Sequence, residues 1–437
     1  MDSSYRPIRV ALLGAGSVGS QVARLMTEQS DELRLRVGAE LQLVGVAVRS
    51  IDAKRDWDVP AELLTTDAES LILGSDIVVE VAGGIQPALD WIELALSSGA
   101  DVVTANKALI ASHGQQLAEL AERYGAQLNF EAAVAGAIPI IRPLRESLAG
   151  DNVVRVMGIV NGSTNFILDR MESQGGELSE AMTIASQLGY LEADPTLDVE
   201  GYDAASKAAI LASLAFHTEV QIDEVYREGI LNITREQIQS ARESGYSVKL
   251  LAICERILDS RGKSGIVVRV HPALIPAKHP LAAVRGAFNA VFVEAESAGQ
   301  LMFYGAGAGG VQTASAVLGD LVSVAKRHLA GGPGLSDSSH AQLPILGIEQ
   351  TRTRYQIALE VSDLPGVLAG LAGVFADFGV SVEAVHQTPV DSGSGSGAKL
   401  SIMTHEAREF ELAAVVEALK SHSAVHALVS VIRVEGL

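Results

Sequence analysis

The sequence has a single cysteine, Cys254, among its 437 residues. One cysteine excludes an intrachain disulfide and any metal cluster built from several thiolates. The ten histidines are scattered and show none of the spacings that zinc sites use, so nothing supports transition-metal catalysis. The sequence therefore favours a protein of the reducing cytoplasm.

Long apolar runs and excess positive charge are also missing. The sequence contains no run of 18 apolar residues, which argues against a membrane span, and the polar residues 1–6 show no sign of a signal peptide. The 53 acidic residues outnumber the 33 basic ones, and the net charge of −20 argues against binding to nucleic acid or to an anionic membrane. A length of 437 residues, 48% of them hydrophobic, is enough for two or three globular domains.

Glycine, by contrast, is concentrated in a short loop after the first predicted strand. Residues 9–14 are apolar and predict a buried parallel strand, and the loop of Gly14, Gly16, Ser17, Val18 and Gly19 follows and leads into a helix near Ser20. Glycines there permit a tight turn and close approach of a pyrophosphate, and the helix N-terminus supplies free N–H donors. The context indicates a dinucleotide site; the alternative is a turn that binds nothing.

Strands and helices alternate after this loop. Because such alternation is typical of crossover connections, it predicts a doubly wound parallel α/β sheet. The further strands are predicted at 41–48, 77–81 and 101–104, and the helices between or after them include 88–97 and 115–124.

Arg49 follows the second predicted strand, where an acid would bind the ribose 2′-hydroxyl of NAD. An arginine suits a 2′-phosphate, so NADP is favoured over NAD, and Lys54 or Arg55 could add a second cation. The alternative is an ordinary solvated arginine. Residues 27–38 also lengthen the first crossover beyond its usual size.

The stretch 189–207 is the most informative of the chain. A loop broken by Pro195 and two glycines collects acids, among them Glu192, and an alanine-rich helix follows it. Asp203 and Lys207 are four residues apart and therefore share one face of that helix. A lysine at the polar end of a buried helix, beside acids, could bind a zwitterion and move a proton; a solvated acidic loop is the alternative.

Three other segments carry weaker signals. Lys107 follows the strand 101–104, where ligands of open α/β sheets bind, although a surface lysine would look the same. The turn 161–165 could be a helix N-cap built on Ser163 or Thr164. The irregular run 131–139 combines an acid with glycine and suits a cation with oxygen ligands, but a plain turn is favoured.

The rest of the chain predicts further units. Residues 151–320 mix strands and long helices, including a helix at 202–217, and 331–350 are predicted as a linker. Residues 351–437 follow the order βαββαβ, the ferredoxin-like pattern, with a Ser-Gly turn at 392–397. We thus predict that residues 1–150 form a nucleotide-binding domain, to which residues from about 305 to 330 return, and that the units above follow it along the chain.

Taken together, these segments resemble homoserine dehydrogenase in its longer bacterial form with a C-terminal ACT domain. The resemblance covers nearly the whole chain and rests on the segments 14–19, 104–107, 131–139, 158–166, 189–207, 305–309 and 360–368. It implies a Rossmann-like domain, an α+β catalytic and dimerisation domain and an ACT domain.

The resemblance also implies roles for individual residues. Lys207 would donate and accept the proton, assisted by Lys107, and Glu192 and Asp203 would bind substrate. The implied cofactor contacts are Gly14, Gly16, Ser17, Val18, Gly19, Arg49, Lys107 and Gly309. The implied sodium ligands, mostly backbone carbonyls, are Glu131, Val134, Gly136 and Ile138. Asp363 and Gly366 would lie near a regulatory amino acid.

The implied reaction is the NAD(P)-dependent interconversion of L-homoserine and L-aspartate 4-semialdehyde, on the route to threonine, methionine and isoleucine. A homodimer or homotetramer inhibited by threonine is expected, although the ACT unit could serve oligomerisation alone. Two rival interpretations stay open: an NADP-dependent reductase of another amino-acid-derived carbonyl, and a sensor of nucleotide and amino acid without turnover.

Overall fold

The computed structural model describes residues 6–259, 261–331, 339–392 and 395–436. The chain divides into two compact units. The first comprises Met1–Gly162, Asp203–Val225 and Ala287–Gln342, and the second comprises Ser163–Tyr202, Tyr226–Gly286 and Leu343–Leu437. Across the described ranges, no helix has both the length and the apolar character needed to cross a bilayer.

Strands and helices are numbered in chain order. The strands are β1 (Ile8–Leu13), β2 (Leu41–Ala47), β3 (Leu64–Thr65), β4 (Ile77–Glu80), β5 (Asp101–Thr104), β6 (Leu128–Asn129), β7 (Val153–Ile159), β8 (Tyr226–Arg227), β9 (Tyr246–Leu258), β10 (Ser264–Pro276), β11 (Phe288–Ala295), β12 (Gly299–Ala306), β13 (Arg352–Ser362), β14 (Val382–Ser392), β15 (Gly395–Thr404), β16 (Ala407–Arg408) and β17 (Val425–Val434). The helices are α1 (Ser17–Glu28), α2 (Ser30–Val37), α3 (Ala68–Leu73), α4 (Ala88–Ser97), α5 (Lys107–Tyr124), α6 (Gly162–Gln174), α7 (Leu178–Gln187), α8 (Thr196–Val199), α9 (Tyr202–Phe216), α10 (Arg235–Glu243), α11 (Gly310–Ala330), α12 (Val367–Asp377) and α13 (Glu409–Lys420).

The first unit contains a parallel six-stranded sheet in the order β3-β2-β1-β4-β5-β6. The strand order reverses between β1 and β4, and ligands of such sheets bind at the carboxyl ends of the strands beside that reversal. The predicted Rossmann-like, doubly wound sheet is therefore confirmed, with the glycine loop at the reversal point.

Helix α11 packs into the core of this sheet although it begins at Gly310, far along the chain from β4, which ends at Glu80. Val317 and Leu321 of α11 are fully buried together with Val10 and Leu12 of β1 and Val22 of α1. The chain thus returns to the sheet in the region where completion of the nucleotide domain was predicted.

Several boundaries differ from those predicted. Helix α1 begins at Ser17 rather than near Ser20, and α5 begins at Lys107 rather than 115 because Asn106 caps it, its side-chain oxygen accepting the N–H of Leu109. The long first crossover contains a second helix, α2, which ends at Gly38 in the left-handed conformation (φ 91°). Strands β3 and β6 were missed because each is only two residues long.

The first unit also holds the antiparallel strands β12, β11 and β7, in that order, and the buried helix α9. From Ala204 to Phe216, α9 exposes little beyond Ser206 and Ser213. Its predicted burial is confirmed, and so is its start at Tyr202.

The second unit contains the long hairpin β9–β10 and the C-terminal ferredoxin-like fold. The last four long strands form a sheet in the order β17-β13-β15-β14, with α12 and α13 in the connections, which confirms the βαββαβ prediction. Strand β17 also pairs with β10, through Ala273 with Arg433 and Leu274 with Val434.

Two of the predicted connections fall partly outside the described residues. In the predicted linker 331–350, residues 332–338 lie outside them, and Ile345 bridges to Ile266. In the predicted Ser-Gly turn, residues 393 and 394 lie outside them, and β14 and β15 reach Ser392 and Gly395.

Candidate functional site

The glycine loop after β1 is shaped by close backbone approaches. Gly14 has φ 100°, and a Cβ there would lie 2.8 Å from the Cα of Ala82, just beyond the end of β4. A Cβ at Gly19 would overlap the carbonyl oxygen of Gly14, so the helix packs directly on the turn. A Cβ at Gly16 would meet no described atom within 4 Å, which leaves room for a ligand against the backbone. These are the roles that a dinucleotide-binding loop gives its glycines.

Two helix N-termini meet at this loop. A Cβ on Gly310, the first residue of α11, would lie 2.6 Å from the carbonyl oxygen of Ser17, the first residue of α1. Gly16 and Gly309 precede the two helices and offer no side chain to cap the first N–H groups; Gly309 has φ 129°. Uncapped N–H groups and two positive dipole ends favour an anion such as a pyrophosphate. The loop therefore fits the predicted cofactor.

Arg49 lies just beyond the end of β2 and is exposed. Arg55 has a different task, since its guanidinium donates hydrogen bonds to the carbonyls of Ser50, Ile51 and Ala53 at 2.7 to 2.9 Å. Arg55 thus closes the loop after Arg49 instead of offering a second free cation. Lys54 is exposed and stays a candidate for that role.

The first unit brings together two lysines on one buried carboxylate. Lys107, the first residue of α5, donates to one oxygen of Asp203. Lys207 donates to the other oxygen at 2.6 Å and to the carbonyl of Val160 at 2.7 Å, and the amide of Asn161 reaches the same carboxylate oxygen at 2.9 Å. We call Lys107, Asp203 and Lys207 the lysine–aspartate cluster. The predicted shared face of Asp203 and Lys207 is confirmed, and Lys107 joins them from 96 residues away.

The two lysines differ in access to solvent. The Lys107 side chain is 46% exposed, whereas that of Lys207 is 10% exposed. Burial would raise the pKa of Asp203, but the ammonium groups of Lys207 and Lys107 outweigh it and hold the pKa well below its usual value. Asp203 is therefore an anion at any physiological pH and holds both ammonium groups in place.

The position of Lys107 depends on a network that sequence reasoning missed. Glu80, the buried last residue of β4, accepts the hydroxyl of Thr104 at 2.6 Å and the N–H of Ala82 at 2.8 Å. The side-chain amide of Asn106 donates to the carbonyl of Gly84 at 2.6 Å. These bonds tie the ends of β4 and β5 to the start of α5. The available signal was an acid at the end of an apolar strand, followed by Val81, Ala82 and a pair of glycines.

The acid loop that carries Glu192 belongs to the second unit. Glu192 is exposed in irregular backbone before the short helix α8. Ser163 donates its hydroxyl to the carbonyl of Tyr190 at 2.6 Å and so holds the start of the loop. The prediction that Ser163 or Thr164 caps a helix is wrong, because α6 begins at Gly162 and both residues lie inside its first turn.

The predicted cation segment is buried and irregular. Ala135 and Gly136 both have positive φ, 56° and 58°, and a Cβ on Gly136 would lie 2.5 Å from the carbonyl oxygen of Gly307. The carbonyls of Phe130 and Ala135, which are not among the predicted ligands Glu131, Val134, Gly136 and Ile138, accept backbone N–H groups from Ala133 and Ile138. In the described part of the chain, no group of three His, Cys, Asp or Glu side chains is arranged to hold a metal. Carbonyl ligands are thus what this segment can offer.

The carboxylate of Glu131 is engaged by backbone N–H groups and also lies 3.5 Å from the guanidinium of Arg142. Its oxygens accept the N–H groups of Ile140, Ile141 and Arg142 at 2.6 to 3.0 Å. Asp320 of α11 accepts the N–H of Glu131 at 2.7 Å, and burial raises the pKa of Asp320 to about 6. Of the groups on Glu131, its carbonyl is therefore the better candidate for a cation.

The two predicted regulatory residues lie at the turn between β13 and α12. Asp363 accepts the side-chain amide of Gln387 in β14 at 2.9 Å. Gly366 precedes α12 with φ 92°, a left-handed conformation that favours glycine. A Cβ at Gly366 would meet no described atom within 4 Å, so the helix start is open.

Comparison with known proteins covers almost the whole chain. Residues 14–131 match the NAD-binding domain of homoserine dehydrogenase, residues 139–322 match homoserine dehydrogenase itself, and residues 355–423 match the ACT domain. The homoserine dehydrogenase of Corynebacterium glutamicum is 53% identical over 98% of this chain and 96% of its own length. That of Mycobacterium tuberculosis is 52% identical over 100% of this chain and 99% of its own.

Solved structures agree. A homoserine dehydrogenase from Thiobacillus denitrificans superposes with a TM-score of 0.89 at 39% identity, covering 98% of each chain. A hyperthermophilic archaeal homoserine dehydrogenase in complex with NADPH superposes with a TM-score of 0.61 at 29% identity, covering 75% of this chain and 99% of the other.

Proposed function

Because this chain belongs to the homoserine dehydrogenase family and is an NAD(P)-dependent oxidoreductase of L-homoserine and L-aspartate 4-semialdehyde, we propose that the lysine–aspartate cluster is its catalytic centre. The observation that carries the proposal is Asp203, whose two oxygens each hold the ammonium group of a different lysine. A small hydroxy amino acid and its aldehyde need such a group to take and return one proton.

The chain's own residues divide the chemistry between them. A nicotinamide cofactor held by the loop 14–19 would supply the hydride chemistry at the carbon that carries the oxygen. Lys207 exchanges the proton with that oxygen, accepting it when the alcohol is oxidised and donating it when the aldehyde is reduced. Asp203 and the carbonyl of Val160 fix the direction of its amine. Lys107, the more exposed lysine, polarises the same oxygen.

Substrate binding relies on carboxylates, whereas proton exchange relies on the lysines. The ammonium group of homoserine would pair with Glu192, and Asp203 would contribute through the lysines that it orients. Neither rival interpretation from the sequence is favoured, because the full-length relatives are homoserine dehydrogenases and both lysines are present.

The variant Asp203→Asn tests the proposal. It keeps the shape of the side chain but removes the charge that holds both lysines, so kcat/KM for L-homoserine should fall by about 10²-fold. The measurement is nicotinamide reduction followed by absorbance, with thermal unfolding to verify that the variant folds. Asp31→Asn, on the exposed surface of α2, is the matched control and should retain full turnover. Normal turnover of Asp203→Asn would remove the cluster from the mechanism.

We further propose that NADP is preferred over NAD, with Arg49 binding the 2′-phosphate. Support comes from its position beyond β2 and its exposure. Replacing Arg49 with Glu should lower the ratio of kcat/KM for NADP to that for NAD by about tenfold, because a charge-assisted contact is lost and a repulsion added. Arg36→Glu on α2 is the control. An unchanged ratio would assign the selectivity to other residues.

A monovalent cation, sodium, is proposed at the carbonyls of Glu131, Val134, Gly136 and Ile138. The buried, irregular backbone of this segment and the two neighbouring positive φ angles support it. Titration of the dialysed enzyme with sodium chloride against choline chloride checks the proposal: turnover or thermal stability that ignores the cation would contradict it.

Threonine is proposed as an effector that binds at the β13–α12 turn. Asp363→Asn should raise the threonine concentration for half-inhibition by about tenfold, through loss of a charge-assisted bond to the effector's ammonium group. Turnover without threonine is the internal reference, and Asp377→Asn at the end of α12 is the control. Inhibition that is unchanged in Asp363→Asn would reject this site.

Deleting residues 350–437 is a poorer test than the point variant. Strand β17 pairs with β10, and Glu435 neutralises the fully buried Arg269 of β10 at 3.1 Å. Removing the C-terminal segment would take away one of the two carboxylates that pair with this buried guanidinium, the other being Glu255 at 2.9 Å. Lost inhibition would then not be distinguishable from lost folding.

We also propose a homodimer or homotetramer working in the cytoplasm. The ACT unit supports association, since such domains bind amino acids at interfaces between copies, and the single buried cysteine suits a reducing compartment. Light scattering gives the mass of the assembly; a monomer of 45.7 kDa would reject the first part. Cell fractionation checks the second.

A further inference from the structure

Arg227 of β8 holds the end of the acid loop. Its guanidinium donates to the carbonyl oxygen of Glu200 at 2.5 Å and lies 3.4 Å above the ring of Tyr202. A planar cation is suited to both contacts at once, because it donates in its plane and stacks with its face. Tyr202 begins helix α9, and Asp203 follows it directly. The Arg227 side chain thus contacts the residues on both sides of Gly201. Asp203, which orients the two lysines, is the next residue of the chain after Tyr202.

The backbone around Arg227 leaves the loop little freedom. A Cβ on Gly229 would overlap the carbonyl oxygen of Val199 and come within 2.5 Å of the Cα of Glu200, and the N–H of Ile230 donates to Val199 at 2.8 Å. Gly201 has φ 83°, and a Cβ there would lie 3.4 Å from the Cγ of Arg227. The end of the acid loop therefore packs directly on the segment 227–230.

That segment is itself anchored to a long strand. Val270 of β10 pairs with Arg227, and the N–H of Glu228 donates to the carbonyl of Val270 at 2.8 Å. Strand β10 is buried along most of its 13 residues. Arg227 thus connects a rigid strand to a loop whose other end is held by Ser163 at Tyr190.

We propose that Arg227 is a positioning residue of the dehydrogenase: by holding Glu200 and Tyr202, it fixes the end of the acid loop, and with it the placement of Glu192 toward L-homoserine. The inference rests on the proposed substrate-binding role of Glu192. Arg227 touches neither the reacting atoms nor the nicotinamide cofactor in this scheme, so its effect is confined to the amino-acid substrate.

A purely structural arginine would behave differently from a positioning residue. Loss of general stability lowers the amount of active enzyme and leaves both KM values where they were. Loss of loop position raises KM for L-homoserine and lowers kcat/KM for it, while KM for NADP stays unchanged, because displacements of about 1 Å can cost up to 10²-fold.

The experiment compares Arg227→Met, Arg227→Lys and the control Arg256→Met in the full-length enzyme. Methionine keeps the aliphatic stem and loses the donors and the charge, and we expect KM for L-homoserine to rise about tenfold with KM for NADP unchanged. Lysine keeps a charge for the ring of Tyr202 and a donor for Glu200, so it should restore most of the affinity. Arg256 is exposed on β9 and bonds to Ser264, and its variant should match the wild type.

Three results would overturn the inference. One is an Arg227→Met enzyme with wild-type KM for L-homoserine; another is a loss of kcat that lysine does not restore and that follows thermal stability. If Arg227→Met does not fold, Tyr202→Leu removes the ring platform instead, and a wild-type KM there would be the third. The variant Asp203→Asn distinguishes failure of the catalytic proposal from failure of this inference. Normal turnover of Asp203→Asn refutes the catalytic proposal. Lost turnover in Asp203→Asn, together with wild-type kinetics of the Arg227 variants, refutes this inference alone.

Discussion

Lys207→Met should lower kcat by about 10²- to 10⁴-fold, the range that a positioned proton donor or acceptor contributes. Methionine fills the same volume in the buried helix α9 but cannot exchange a proton. The nearby carboxylate of Asp203 keeps its second cation, Lys107, so the lysine–aspartate cluster loses one positive charge and not both. The loss should therefore appear mainly in kcat, with KM for NADP close to that of the wild type.

The pH dependence of kcat separates the two lysines. If Lys207 exchanges the proton, Lys207→Met abolishes one ionisation from the pH profile, and Lys107→Met retains it while lowering kcat through the lost polarisation of the oxygen. The reverse pattern would transfer the role to Lys107, whose side chain is 46% exposed and thus more accessible. Lys326→Met, an exposed position on α11, controls for the loss of a lysine as such.

The sequence predicts the part of the cluster that is local. Asp203 and Lys207 lie four apart on one helix, so their ion pair follows from helical geometry alone. Lys107 lies in another helix, and no pattern in the sequence predicts that the first turns of α5 and α9 are close together in space. The same limit applies to Val160 and Asn161, which reach the cluster through the end of β7. The resemblance to a known family supplied what the spacing could not.

The boundaries of helices and strands show the same difference between what local sequence determines and what tertiary contacts determine. Helix α4 was predicted at 88–97, where it lies, because its apolar residues recur with the helical period. The start of α5 was misplaced by eight residues, since it depends on a cap at Asn106 and on bonds from Glu80 and Thr104 that join two strands. The ends of β4 and β5 decide where Lys107 stands, and that contact is tertiary.

Arg433→Met should lower the free energy of unfolding by about 3 kcal/mol, because it leaves a buried carboxylate without its cation. The side chain of Arg433 in β17 is 15% exposed and that of Glu409 in α13 is 6% exposed, and they meet at 2.6 Å. Glu409 also accepts the hydroxyl of Tyr355 at 2.7 Å, and burial raises the pKa of Tyr355 above its ordinary value. Arg433 further reaches Glu228, the neighbour of Arg227, at 2.9 Å. The variant thus removes a cation that joins the last strand to β8.

Urea unfolding of the full chain measures the effect against a matched pair in the same unit. Arg352 and Glu406 form the same kind of contact at 2.6 Å, but their side chains are 58% and 52% exposed, so Arg352→Met should cost about 1 kcal/mol or less. The double variant Arg433→Met with Glu409→Met should regain part of the loss, since it removes the unpaired charge as well. Equal effects of Arg433→Met and Arg352→Met would mean that the Arg433 cluster is hydrated in solution and contributes no more than a surface pair.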